Sequence, residues 1–132
     1  LGGSLVVCAA EAGARRSRRE KIMSEINTLV RLAALIQSRR SDSAQKSYTS
    51  QLLTAGTERC AKKFGEEAVE VVIAAMAGEA AALKAEAADV LYHLLVLLES
   101  RDVALDDVFA VLEGRMGTSG LEEKAARNGE QT

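Results

Sequence analysis

The stretch KKFGEEAVEVVIAAM, residues 62–76, decides the fold. Its apolar residues Val69, Val72, Ile73 and Met76 recur at three- and four-residue spacing, the period of a helix rather than a strand. On a helix advancing about 100° per residue, Lys63, Glu66, Glu67 and Glu70 fall within a sector of about 100°, largely opposite the apolar group. Glu67 and Glu70 stand at i and i+3, so their side chains are neighbours. Taken alone, this is the solvated stripe of an amphipathic helix. Beside it Gly65 leaves room for a neighbouring helix or for a phosphate.

Outward from this segment the pattern stays helical. Ile26, Leu29, Val30, Leu32, Ala33 and Ile36 mark an earlier amphipathic helix, followed by the polar stretch SRRSDSAQKS (38–47) as the one candidate linker. Thr49 is a candidate N-cap, with Tyr48 and Leu53 placed as a hydrophobic staple. A helix from there runs to about Ala77, bent near Gly56, and Gly78 marks the turn. The next helix spans about Glu79 to Ser100, Asp102 sits in a short turn, and a further helix covers roughly Leu105 to Met116. Gly117 and Gly120 interrupt, and LEEKAAR (121–127) adds a last turn or two. The expectation is an all-α antiparallel bundle of about four helices. Between Ala87 and Leu98 nearly every residue is apolar, so that helix needs cover on all sides, and a homodimer is expected to complete the bundle.

Composition agrees and excludes several functions. The 132 residues suit one domain, contain no proline and no tryptophan, and include only 2 Phe and 2 Tyr. A net charge of −2 argues against a general nucleic-acid binder. Cys8 and Cys60 match no metal-ligand spacing, and with one histidine a zinc site has no ligand set; both read as free thiols of a reducing, cytoplasmic compartment. The most apolar run, VLYHLLVLL (90–98), is about half the length a membrane span needs. Residues 1–22 read as a disordered extension, with RRSRREK (15–21) as a rival targeting or nucleic-acid patch; the domain proper is 23–128, and 129–132 form a tail.

A second carboxylate pair changes the meaning of the first. Glu86 and Asp89 repeat the i, i+3 spacing inside EAADVLYHLLVLL (86–98), where Asp89 is surrounded by apolar residues with no Lys or Arg before Arg101. An unpaired carboxylate in such a setting is costly, so Asp89 requires a partner. One answer is a hydrogen bond to His93 at i+4. The other is that both pairs face each other and share a divalent cation, since like charges in one site raise each other's pKa. Oxygen-only ligands select Mg²⁺ or Mn²⁺, and the absence of a Glu-x-x-His motif argues against di-iron.

EEAVE (66–70) with EAAD (86–89) resembles the EExxE…ExxD signature of the all-α, MazG-like nucleotide pyrophosphohydrolases. With SYTSQLLTAG (47–56), the YHLLVLL run and the tail GTSGLEEKAARN (117–128), the chain is most similar to the phosphoribosyl-ATP pyrophosphatase family within them. That resemblance implies Mg²⁺-dependent hydrolysis of phosphoribosyl-ATP to phosphoribosyl-AMP and pyrophosphate, in histidine biosynthesis. It implies Glu67, Glu70, Glu86 and Asp89 as metal ligands, with Glu66 as an extra ligand or the group that orients the attacking water. Lys62 and Lys63 are candidates for phosphate oxygens, or for i, i+4 pairing with Glu66 and Glu67. Arg115, with Lys124 and Arg127, is a candidate for closing over substrate or for simple solvation. Two alternatives stand beside this reading: a housekeeping nucleoside triphosphate pyrophosphatase, and a non-catalytic helical dimer with structural carboxylates.

Overall fold

The computed structural model describes residues 3–116 and 120–129, with side chains described outside 3–14, 23–27 and 123. All regular structure among the described residues is helical, as the missing prolines and the helical periodicity require. The chain forms α1 (Gly3–Ser38), a 3-10 turn (Arg39–Ser41), α2 (Tyr48–Ala55), α3 (Thr57–Ala77), α4 (Ala80–Ser100), α5 (Leu105–Arg115) and α6 (Gly120–Gly129). No helix among the described residues is long and apolar enough to cross a membrane.

Three of these bounds differ from the periodicity reading. Helix α1 continues back to Gly3, so residues 3–22, set apart above as disordered, are helical, with 15–22 exposed throughout. Leu1 and Gly2 lie outside the described residues, as do 117–119 of the tail motif. The expected single helix from Thr49 to Ala77 breaks into α2 and α3 at Gly56, whose φ of +99° and ψ of 172° suit glycine alone. Its N–H accepts no role in α3; it donates back to the carbonyls of Leu52 and Leu53, closing α2. The N-cap of α2 is Ser47, not Thr49: the Ser47 hydroxyl accepts from the Ser50 N–H at 3.2 Å. Tyr48 therefore opens the helix and is not its staple.

Helices α3 and α4 form an antiparallel hairpin through Gly78 (φ +80°) and Glu79, and this pair is the most extensive contact in the chain. Helix α1 packs on α4, and α2 wedges between the end of α1 and the hairpin. The core is small: Ile36, Leu52, Cys60, Leu95 and Val96 are buried, flanked by Leu29, Leu32, Ala33 and Leu98. Each fully buried Ile, Leu or Val of this core contributes about 1.5–3 kcal/mol on leaving water. Cys60 is a free thiol as expected, donates to the Leu52 carbonyl, and is pushed up in pKa by burial, so it stays protonated. The side chain of Cys8 is outside those described.

Arg40 fastens the end of α1 to the end of α4. Its Nε donates to Glu99 Oε1 at 2.6 Å, and Nη2 donates to the Glu99 carbonyl and to Asp102 Oδ1. Asp102 itself takes a left-handed φ of +56° in the turn before α5.

Among the described residues helix α4 is not enclosed on all sides. Leu91 on α4 and Val69, Val72, Ile73 and Met76 on α3 are exposed, Met76 by 83%. The apolar face predicted for α3 thus exists, and the described residues give it little cover.

Candidate active site

The two acidic pairs come together across the hairpin. Glu67 on α3 and Glu86 and Asp89 on α4 each offer a carboxylate oxygen, and the three oxygens lie within 4.8 Å of one another. The i, i+3 spacing on α4 puts Glu86 and Asp89 on one face, and the antiparallel turn at Gly78 returns that face to Glu67. Glu67 and Glu86 are half-buried and Asp89 is exposed. Asp89 is therefore not embedded as its apolar neighbours in sequence suggest; it sits on the open side of α4.

Three negative groups at this separation repel. Burial pushes the Glu86 carboxyl above its usual range, and the charges of Glu67, Asp89 and Glu70 add to the rise. That combination is the electrostatic mark of a site that a cation would relieve. The all-oxygen donor set fits a hard divalent ion. Glu70 acts on Glu86 electrostatically but is exposed and outside the group of three. Of the four carboxylates implied as ligands, the geometry brings three together and leaves the fourth at the edge.

Lysine 63 sits beside the cluster. Its Nζ is 3.0 Å from Glu66 Oε2 and 3.7 Å from Glu67 Oε1. The hydrogen bond to Glu66 raises the Lys63 pKa and lowers that of Glu66, so both are ionised. Lys62 is exposed and adds a weaker positive influence on Glu66; the expected Lys62–Glu66 pair is replaced by Lys63–Glu66. Gly65 faces open space: a side-chain carbon there would meet no atom within 4 Å among the described residues. Arg115 is exposed at the end of α5, and Lys124 and Arg127 lie on α6.

Behind the cluster lies His93, which the sequence offered as a partner for Asp89. It is buried, but its Nδ1 has no hydrogen-bond partner. Among the described residues no hydrogen bond joins Asp89 to His93 at Nδ1. Burial holds His93 below its usual pKa, against the opposing pull of Glu67, so the ring is neutral near pH 7. Its ring packs edge-on against Tyr92 at 5.0 Å and Tyr48 at 6.3 Å. Tyr92 was missed as a site neighbour: its hydroxyl shares a 2.5 Å hydrogen bond with Thr49 Oγ1. A tyrosine inside an apolar run was the available signal, because a buried phenol needs a polar partner.

Fold and cluster together define an all-α protein with a candidate divalent-cation site on a helical hairpin. Comparison with known proteins narrows the class. The profile of the family described as phosphoribosyl-ATP pyrophosphohydrolase matches residues 29–116, which hold α2 to α5 and the whole cluster. Proteins named phosphoribosyl-ATP pyrophosphatase are similar along most of the chain. That of Cereibacter sphaeroides is 56% identical over 102 residues, covering 77% of this chain and 99% of its own length. Those of Rhodobacter capsulatus and Ruegeria pomeroyi are 54% identical over 102 residues (77% and 99%) and 56% identical over 96 residues (73% and 91%). The chain belongs to the phosphoribosyl-ATP pyrophosphohydrolase family.

Proposed function

We infer that this chain hydrolyses phosphoribosyl-ATP to phosphoribosyl-AMP and pyrophosphate, the second step of histidine biosynthesis, in the cytoplasm. Membership of the family carries the choice of substrate. The carboxylate cluster is the observation that supports the chemistry.

Glu67, Glu86 and Asp89 are the residues that would hold the cation, with Glu70 flanking, and Mg²⁺ is the ion the donor set favours, Mn²⁺ the runner-up. When bound, Mg²⁺ supplies charge neutralisation to the phosphate oxygens of the scissile anhydride. The protein's own groups do the rest. Lys63, beside Glu67, and its neighbour Lys62 act on the polyphosphate as point charges. Glu66, held ionised by Lys63, accepts a hydrogen bond from the attacking water and orients it; its lowered pKa makes it a better positioner than proton acceptor. Water adds across the bond between the α- and β-phosphates: its oxygen forms a bond to one of the two phosphorus atoms, the bridging P–O bond to that atom breaks, and phosphoribosyl-AMP and pyrophosphate separate while the protons of the water pass to the products and solvent. Arg115 remains a candidate for the outer phosphate.

A homodimer completes the protein in this reading. The exposed face of Val69, Val72, Ile73 and Met76 beside Leu91 supports it, since contiguous apolar surface of this kind marks an interaction site.

A substrate panel tests the function. Pyrophosphate release from phosphoribosyl-ATP, with little from ATP or deoxynucleoside triphosphates, is the expected pattern. Hydrolysis of the triphosphates with phosphoribosyl-ATP untouched would return the reading to a housekeeping pyrophosphatase.

A further inference from the structure

The motif SYTSQLL (47–53) has no task in the chemistry above, and relocation of the helix cap to Ser47 leaves Tyr48 and Thr49 unexplained as local signals. Both line a cavity of about 290 Å³ between the end of α1 and the start of α2. Its polar lining is Arg39, Lys46, Ser47, Tyr48, Thr49 and Tyr92, set against an apolar wall from α1. That size is near the lower end for pockets that hold small ligands, about 300 Å³.

The lining is cationic at one end and hydroxylic along its length. Lys46 is exposed and has no carboxylate partner among the described residues, while Arg39 shares its charge with Asp42 at 3.0 Å. Ser47 Oγ accepts from Ser50 N–H and keeps its own O–H to donate. Thr49 and Tyr92 share one hydrogen bond, which uses one of their two O–H groups and leaves the other. Tyr48 is half-exposed, and its ring touches His93, which lies behind the carboxylate cluster. Tyr48 thus lines the cavity and meets the ring of His93, which in turn feels the charges of Glu67 and Asp89.

We propose that this cavity binds the pentose 5-phosphate end of the substrate, with Lys46 and Arg39 on the phosphate and the Ser47, Tyr48, Thr49 and Tyr92 hydroxyls on the sugar. It rests on the function proposed above and assigns the half of phosphoribosyl-ATP that the cluster does not handle. A hollow of about 440 Å³ lies elsewhere, between α1 and the turn after α4, and no carboxylate of the cluster lines it.

The test compares phosphoribosyl-ATP with ribosyl-ATP, its analogue lacking the pentose 5-phosphate, in wild type and Lys46→Gln. Lys46 is an exposed turn residue, so the variant should fold, and thermal unfolding checks that it does. Wild type should prefer phosphoribosyl-ATP by about 10- to 100-fold in kcat/KM, the span of one or two charge-assisted hydrogen bonds, and Lys46→Gln should lower that ratio at least about fivefold, through KM. Ribose 5-phosphate should compete in wild type and more weakly in the variant. An unchanged preference in a folded Lys46→Gln overturns the subsite while the proposed function stands. Competition by inorganic phosphate equal to that by ribose 5-phosphate overturns the pentose part. Wild type inactive on phosphoribosyl-ATP removes the function and the subsite together.

Discussion

Lys63 Nζ lies 3.7 Å from Glu67 Oε1 while hydrogen-bonded to Glu66, so one ammonium spans a carboxylate inside the acidic cluster and one outside it. A cation entering the cluster competes with Lys63 for Glu67. The Lys63→Gln variant should therefore bind Mg²⁺ at least as tightly as wild type yet lose about tenfold or more in kcat/KM, because a phosphate contact goes with the charge. Calorimetric titration with Mg²⁺ beside steady-state kinetics reads both; weaker Mg²⁺ binding would mean that Lys63 organises the ligands and does not compete for them.

Two glycines should answer oppositely to alanine. Gly56 holds a conformation that strains any side chain, so Gly56→Ala should cost about 1–3 kcal/mol. Gly65 lies inside α3 facing open space, so Gly65→Ala should gain about 0.5–1 kcal/mol. Urea unfolding of both variants decides; a destabilised Gly65→Ala would reveal a close approach that the described residues do not supply.

His93 gives a pH dependence with a definite sign. Its folded pKa is lowered by burial, so the unfolded chain binds its proton more readily. Stability from the neutral ring is intact above the unfolded value of about 6.5 and is lost as pH falls from there toward the folded value. Lys63 pushes in the same direction, while Glu67, Asp89 and Glu66 oppose it. The stability gap between wild type and His93→Gln should thus narrow from pH 7.5 to pH 5.5, measured by denaturant unfolding of the metal-free protein.

The apolar face of α3 carries the dimer proposal. Val72→Asp puts a charge at the centre of Val69, Ile73 and Met76, where it would be desolvated on association. Sedimentation should show wild type as a dimer and Val72→Asp as a monomer; a monomeric wild type would remove the dimer.

Much of the hairpin was legible because its signals are local. The spacing of Glu67, Glu86 and Asp89 on two helices, and Gly78 between them, specify which faces meet. What failed was decided by tertiary contacts. Ser47 and Thr49 are equally good caps in sequence; the choice follows from Ser50 Oγ–H reaching the Asp42 carbonyl and Thr49 reaching Tyr92. Asp89 looked embedded because its neighbours along the chain are apolar, yet burial depends on what packs opposite, and on that side α4 is open. The break at Gly56 was read as a bend, since glycine in a helical pattern announces a weak point without its dihedral angles.

We propose that Glu67, Glu86 and Asp89 hold the divalent cation on which pyrophosphate release depends. The most direct measurement is the Mg²⁺ dependence of pyrophosphate release from phosphoribosyl-ATP by wild type and Asp89→Asn. Asp89 is exposed, so the substitution should leave the fold intact. The expected result is a wild-type rate that saturates with Mg²⁺ and vanishes without it, and an Asp89→Asn rate at least about 100-fold lower that needs more Mg²⁺. A folded Asp89→Asn with the wild-type rate and the wild-type Mg²⁺ requirement would contradict the claim.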